Sequence, residues 1–149
     1  MADAPDRRPT VVIVEDEALV AMMVADTLAD AGYRTVWSPS GGLGAWAGRG
    51  AGVVPDAAVV DLRLANGLDG RDVVRRLREQ CSGMPVVVIT DVDRSAPEAD
   101  LRGLGGPAAR LQKPFDGGRL LGRLEGLLET SGTAPRPCRR ATDAPVRAA

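Results

Sequence analysis

The sequence contains no histidine, only two cysteines and a single lysine. The missing histidine excludes imidazole-based acid–base catalysis and histidine-ligated metals. Cys81 and Cys138 lie far apart, with no metal or redox spacing and no disulfide framework. Aromatic residues make up 3 % of the chain, too few for the stacking platforms that bind single-stranded nucleic acid. The formal net charge of −1 gives no basic footprint. The opening "MADAPDRRPT" lacks an apolar signal region, and no run approaches the roughly 18–20 apolar residues that span a bilayer. A cytoplasmic protein without a membrane partner is expected.

What remains is enough for one domain with a core of Val, Leu, Ile, Ala and Met. Residues 1–9 read as a flexible leader. Residues 130–149, rich in Pro, Ala, Thr and Arg without periodicity, read as a disordered tail. In the body, residues 10–129, short apolar runs alternate with helical patterns. "TVVIV" (10–14), "YRTVW" (33–37), "AAVVD" (57–61), "PVVVIT" (85–90) and "ARLQ" (109–112) read as strands. Residues 17–31 place Val20, Met23, Val24, Thr27, Leu28 and Ala31 on one helical face. Residues 71–79 set Val73, Val74 and Leu77 against Arg71, Arg75 and Arg78, and residues 117–129 carry a leucine stripe. Weaker helices are expected over 40–50, despite five glycines, and over 95–104. Five apolar strands alternating with five helices predict an α/β fold, a doubly wound parallel sheet covered on both faces. Ligands of such sheets bind beyond the carboxyl ends of the strands.

Those ends carry the chemistry. Glu15, Asp16 and Glu17 follow the first strand, Asp61 ends the third, Thr90 ends the fourth, and Lys113 follows the fifth. Clustered carboxylates repel one another, and a divalent cation resolves the repulsion. An all-oxygen ligand set favours Mg²⁺ or Mn²⁺ over zinc. A phosphoryl group arriving there would meet a metal, an ammonium and a hydroxyl, and a carboxylate can itself be the nucleophile. Every other basic position is arginine. A site that admits one slim cation but not a wide guanidinium explains why position 113 is lysine.

"VVIVEDE", "VVDLRL", "VVVIT" and "LQKPF", in this order and spacing, resemble the receiver domain of two-component response regulators over residues 10–129. The resemblance implies a flavodoxin-like strand order 2-1-3-4-5. It implies that Asp61 is the phosphoacceptor, served by a histidine kinase or histidine phosphotransfer protein. It makes Asp16 the direct Mg²⁺ ligand, with Glu15, Asp61 and the backbone carbonyl of Arg63 completing the protein's share. Thr90 and Lys113 become the switch hydroxyl and the family lysine. Beyond slow Mg²⁺-dependent self-phosphorylation and dephosphorylation, no enzyme activity is implied.

The chain departs from the family at three places. Arg110 stands where an aromatic switch residue is usual. Asp91 replaces a small residue and either repels an incoming phosphoryl group or points to solvent. The loop "LRLANGLDG" is one residue longer than the commoner form, with Ala65 in place of proline. The tail is too short for a DNA-binding domain. The expected form is therefore a stand-alone receiver whose output is binding to a downstream protein, and a homodimer fits the same expectation. Ala18, Leu19 and Met22 lie off the core stripe near the acidic site and, with Pro114 and Phe115, form the expected docking surface. Three alternatives use the same residues. One is a receiver-shaped interaction protein that is never phosphorylated. Another is a Toprim-like Mg²⁺-dependent nucleic-acid enzyme using "TDVDRS" (90–95) with Glu15. The third, a flavodoxin-like electron carrier, is disfavoured because "EDEA" would repel its phosphate.

Overall fold

The computed structural model describes residues 9–38, 55–64, 69–91 and 106–130. Five parallel strands form one sheet: β1 (Thr10–Val14), β2 (Arg34–Ser38), β3 (Ala57–Asp61), β4 (Val86–Thr90) and β5 (Ala108–Gln112). Their order is β2-β1-β3-β4-β5, as expected. The described helices are α1 (Ala18–Asp30), α2 (Gly70–Gln80) and α3 (Gly117–Thr130). The expected helices at 40–50 and 95–104, the leader, the tail and Ala65 lie outside the described residues.

β1, β3 and β4 are buried along their whole length, because the sheet has apolar cover on both faces. Side chains alternate between the faces. Val12, Val14, Ala58, Val60, Val86 and Val88 pack with Val73, Val74 and Leu77 of α2. Val11, Ile13, Ala57, Val59, Val87, Ile89 and Leu111 pack with Ala21, Val24 and Leu28 of α1 and with Leu120 and Leu124 of α3. The inward face of α1 is turned slightly from the expected stripe. Ala21 is buried, whereas Ala31 is exposed because it is already the C-cap.

Two other expectations change. Arg78, read as solvent-facing, is buried at the end of α2. Its guanidinium donates to the carbonyls of Met84 (Nε, 3.1 Å) and Pro107, linking the chain segments that lead into β4 and β5. A helical charge pattern cannot distinguish a solvated arginine from one that satisfies loop carbonyls. Cys81, expected to stay unpaired, is buried and disulfide-bonded.

α2 is joined closely to β3. Asp69 caps the helix by accepting the Arg71 N–H at 2.9 Å, and Gly70 N–H donates to the Leu62 carbonyl at 2.9 Å. A Cβ at Gly70 would collide with the Asp61 carbonyl oxygen and lie 2.6 Å from Leu62 Cα. These neighbours are backbone and cannot swing away. Gly70→Ala is therefore expected to destabilise the fold by about 3 kcal/mol, the upper end of overpacking costs. Urea unfolding would show a lower midpoint at an unchanged slope; an unaltered midpoint would refute this close packing.

Candidate phosphoryl-transfer and metal site

The strand order sets the site. From β1 the chain steps to β2 on one side of the sheet and from β3 to β4 on the other, so a crevice opens between the carboxyl ends of β1 and β3. Glu15 follows β1 directly and is fully buried, and Asp61, the last residue of β3, is nearly so. Asp16 is exposed. One carboxylate oxygen from each of Glu15, Asp16 and Asp61 lies within 4.8 Å of the other two. An all-oxygen cluster of this size fits a Mg²⁺ or Mn²⁺ ion.

Lys113 enters from the end of β5. Its ammonium lies 3.1 Å from Asp61 Oδ2, 3.2 Å from Glu15 Oε2 and 3.2 Å from Glu17 Oε1. The other oxygens are also engaged. Glu15 Oε1 accepts the Glu17 N–H at 3.1 Å, and Asp61 Oδ1 accepts the Arg63 N–H at 3.0 Å. Burial works against the charge of Lys113, but the facing carboxylates of Asp61 and Glu15 outweigh it and hold the pKa above the ordinary lysine value. Burial also pushes the Glu15 carboxyl up to about 7. The Glu17 N–H opposes that rise, and neighbouring Asp61 adds to it.

The other candidate residues lie on the neighbouring elements. Thr90 is buried at the end of β4, and its carbonyl accepts the Lys113 N–H at 2.7 Å. Arg63 is exposed and forms an isolated antiparallel bridge with Asp69. Arg110 is half-buried on β5, in register with Val88. Asp91 is exposed and shares with Val20, Met23, Lys113, Pro114 and Phe115 a surface cleft of ≈ 440 Å³. It is not part of the three-carboxylate cluster, which weakens the Toprim-like alternative. Ala18, Leu19 and Met22 are exposed on α1, Leu19 at 81 % and Met22 at 56 %, so neither packs as a core residue. Pro114 is exposed and follows a cis peptide bond, while Phe115 is half-buried against the α1/α3 core.

Trp37 was missing from the expected site. From β2 its indole Nε1–H donates to the Glu15 carbonyl at 2.7 Å, anchoring the turn that carries the acidic residues. In so aromatic-poor a chain, a tryptophan at the end of a strand beside β1 was the available signal.

A response regulator receiver domain family model matches residues 11–125. The transcriptional regulatory protein QseB of Escherichia coli O157:H7 is 34 % identical over 131 residues, covering 87 % of this chain and 58 % of QseB. The transcriptional regulatory protein TcrA of Mycobacterium tuberculosis is 37 % identical over 128 residues, covering 85 % of this chain and 48 % of TcrA. The chain thus spans about half the length of these relatives. A response regulator receiver protein from Sinorhizobium medicae superposes with a TM-score of 0.66 at 26 % identity, covering 83 % of this chain and 96 % of that one. A CheY-like receiver domain protein from Methanospirillum hungatei gives 0.72 at 19 % identity, covering 85 % and 99 %, a likeness of fold. Among the described residues no helix is long and apolar enough to cross a membrane.

The raised Glu15 pKa has a defined consequence for stability. An ordinary glutamate releases its proton near 4.5, and folded Glu15 does so near 7. Between these values the folded state holds a proton that the unfolded state has lost. This group's stabilising contribution is full below 4.5 and declines as pH rises towards 7. Melting of the metal-free protein should show that decline, and Glu15→Gln should remove it; an equal slope in both proteins would contradict the assignment.

Proposed function

The chain belongs to the response regulator receiver family, and from that premise we propose that Asp61 accepts a phosphoryl group from the phosphohistidine of a histidine kinase or histidine phosphotransfer protein. The observation that carries this reading is the convergence of Lys113 and the Glu15–Asp16–Asp61 cluster on one pocket. In the transfer, an Asp61 carboxylate oxygen attacks phosphorus. A P–O bond forms, the P–N bond breaks, and its electron pair returns to the donor imidazole.

Glu15, Asp16, Asp61 and the backbone carbonyl of Arg63 would hold Mg²⁺, or Mn²⁺ in its place. When bound, the ion neutralises charge that builds on the phosphoryl oxygens. The chain's own groups do the rest. The Arg63 N–H holds Asp61 Oδ1, which keeps the carboxylate oriented. Lys113 lies against Asp61 Oδ2 and needs only a small movement to meet a phosphoryl oxygen. Thr90, at the end of β4, offers its hydroxyl as the residue that responds to the phosphoryl group. The domain acts as a signalling phosphoacceptor, with at most slow Mg²⁺-dependent loss of its own phosphate.

The donor is proposed to dock on Ala18, Leu19 and Met22 with Pro114 and Phe115, because apolar side chains stand exposed beside the reactive pocket. Output then passes to a downstream protein whose affinity depends on phosphorylation. The second reading, a receiver-shaped binding protein that is never phosphorylated, draws on Arg110 in the place of the aromatic switch and on Asp91 beside Lys113.

Intact mass separates the two. With Mg²⁺ and acetyl phosphate the chain should gain one phosphoryl group, and Asp61→Asn or chelation should abolish the gain. No gain, or one that survives Asp61→Asn, would favour the second reading. Docking has its own test. Leu19→Glu combined with Met22→Glu should block transfer from a cognate protein donor and spare labelling by acetyl phosphate; loss of both would place these residues in the fold instead.

A further inference from the structure

Glu17 occupies the N-cap of α1, where a short polar side chain usually accepts a helix N–H. Its side chain makes no such bond. It turns instead towards β5, and its Oε1 lies 3.2 Å from Lys113 Nζ. Its own N–H donates to Glu15 Oε1, so residue 17 contacts both partners of a partly buried ion pair. Capping therefore does not explain glutamate at this position, whereas contact with the lysine does.

Glu17 differs from the other carboxylates around Lys113. It is outside the cluster of Glu15, Asp16 and Asp61. Its side chain is 64 % exposed, while those of Glu15 and Asp61 are buried. The ammonium thus has two partners inside the pocket and one at the mouth. A divalent ion would draw on the two inner carboxylates and leave Glu17 as the outer hold on the lysine.

We propose that Glu17 is a positioning residue that holds the Lys113 ammonium at the mouth of the pocket and so slows phosphoryl capture by Asp61. The inference rests on the receiver reading above and deepens it. Two effects act in the same direction. The ammonium must loosen from Glu17 to follow a phosphoryl oxygen, and an exposed carboxylate at the entrance repels an anionic donor. Exposed ion pairs are worth roughly 0.2–1 kcal/mol, so releasing this one should speed capture by roughly 1.4- to fivefold at low ionic strength. Salt screens such a pair, so the gain should shrink as salt rises.

The test uses the full chain. Lys113 is the only lysine, so lysine-selective isotope labelling gives one side-chain NMR signal that reports its surroundings. Glu17→Gln keeps an acceptor of equal length and removes the charge. Asp26→Asn, exposed on the same helix, controls for net charge. The expected result is that Glu17→Gln moves the lysine signal and raises the initial rate of phosphorylation by acetyl phosphate by roughly 1.4- to fivefold in low salt, the range set by an exposed pair. Asp26→Asn should do neither. A phosphorylated wild type with an unmoved lysine signal in Glu17→Gln, or with a rate equal to or above that of the variant, would overturn this inference alone. A wild-type chain that gains no phosphoryl group would overturn the receiver reading and the inference with it.

Discussion

One ammonium group among carboxylates is the constraint on which the rest of this structure depends. Buried carboxylates cannot stay charged side by side without a counter-charge. Lys113 supplies it to Asp61 and Glu15 from inside the pocket and to Glu17 at the rim. Three carboxylate oxygens lie 3.1–3.2 Å from the ammonium, which donates hydrogen bonds to those of Asp61 and Glu17. A planar guanidinium is wider and spreads its donors in one plane, so it suits converging acceptors in this space less well. That geometry accounts for the single lysine in a chain whose other basic residues are all arginine. The sheet makes the arrangement reachable. β5 lies two strands from β3, and the unbranched lysine side chain spans the gap above the end of β4.

Much of this was legible in the residues. β1, β3 and β4 are uninterrupted apolar runs because they are covered on both faces, and parallel packing puts their carboxyl ends on one edge. Once the order was inferred, Glu15, Asp16, Asp61, Thr90 and Lys113 had to share that edge. The less legible features depend on contacts distant in sequence. Trp37 reaches the Glu15 carbonyl and Glu17 reaches Lys113 across separations that leave no periodic trace. Arg78 reads as a surface charge until the carbonyls of Met84 and Pro107 are seen to need donors. Gly70 looks like an ordinary loop glycine, and only the nearness of the Asp61–Leu62 backbone shows why a side chain is excluded.

The departures from the family pattern bear on how the domain relays its state. Arg110 is a long cation, half-buried on β5, where the family commonly carries an aromatic ring. Asp91 and Glu17 both place exposed negative charge beside Lys113. Leu19 and Met22 stand exposed on α1, the helix that also lends Val20 and Met23 to the cleft beside Lys113.

The central claim is that the three carboxylates form a divalent-cation site sharing its ligands with Lys113. Calorimetric titration with Mg²⁺ tests it most directly, on the wild-type chain and on Asp16→Asn. The account predicts a single site in the wild type and at least a tenfold loss of affinity in the variant, the order of effect expected on losing a metal-site group. Equal affinities, or no saturable binding by the wild type, would contradict it.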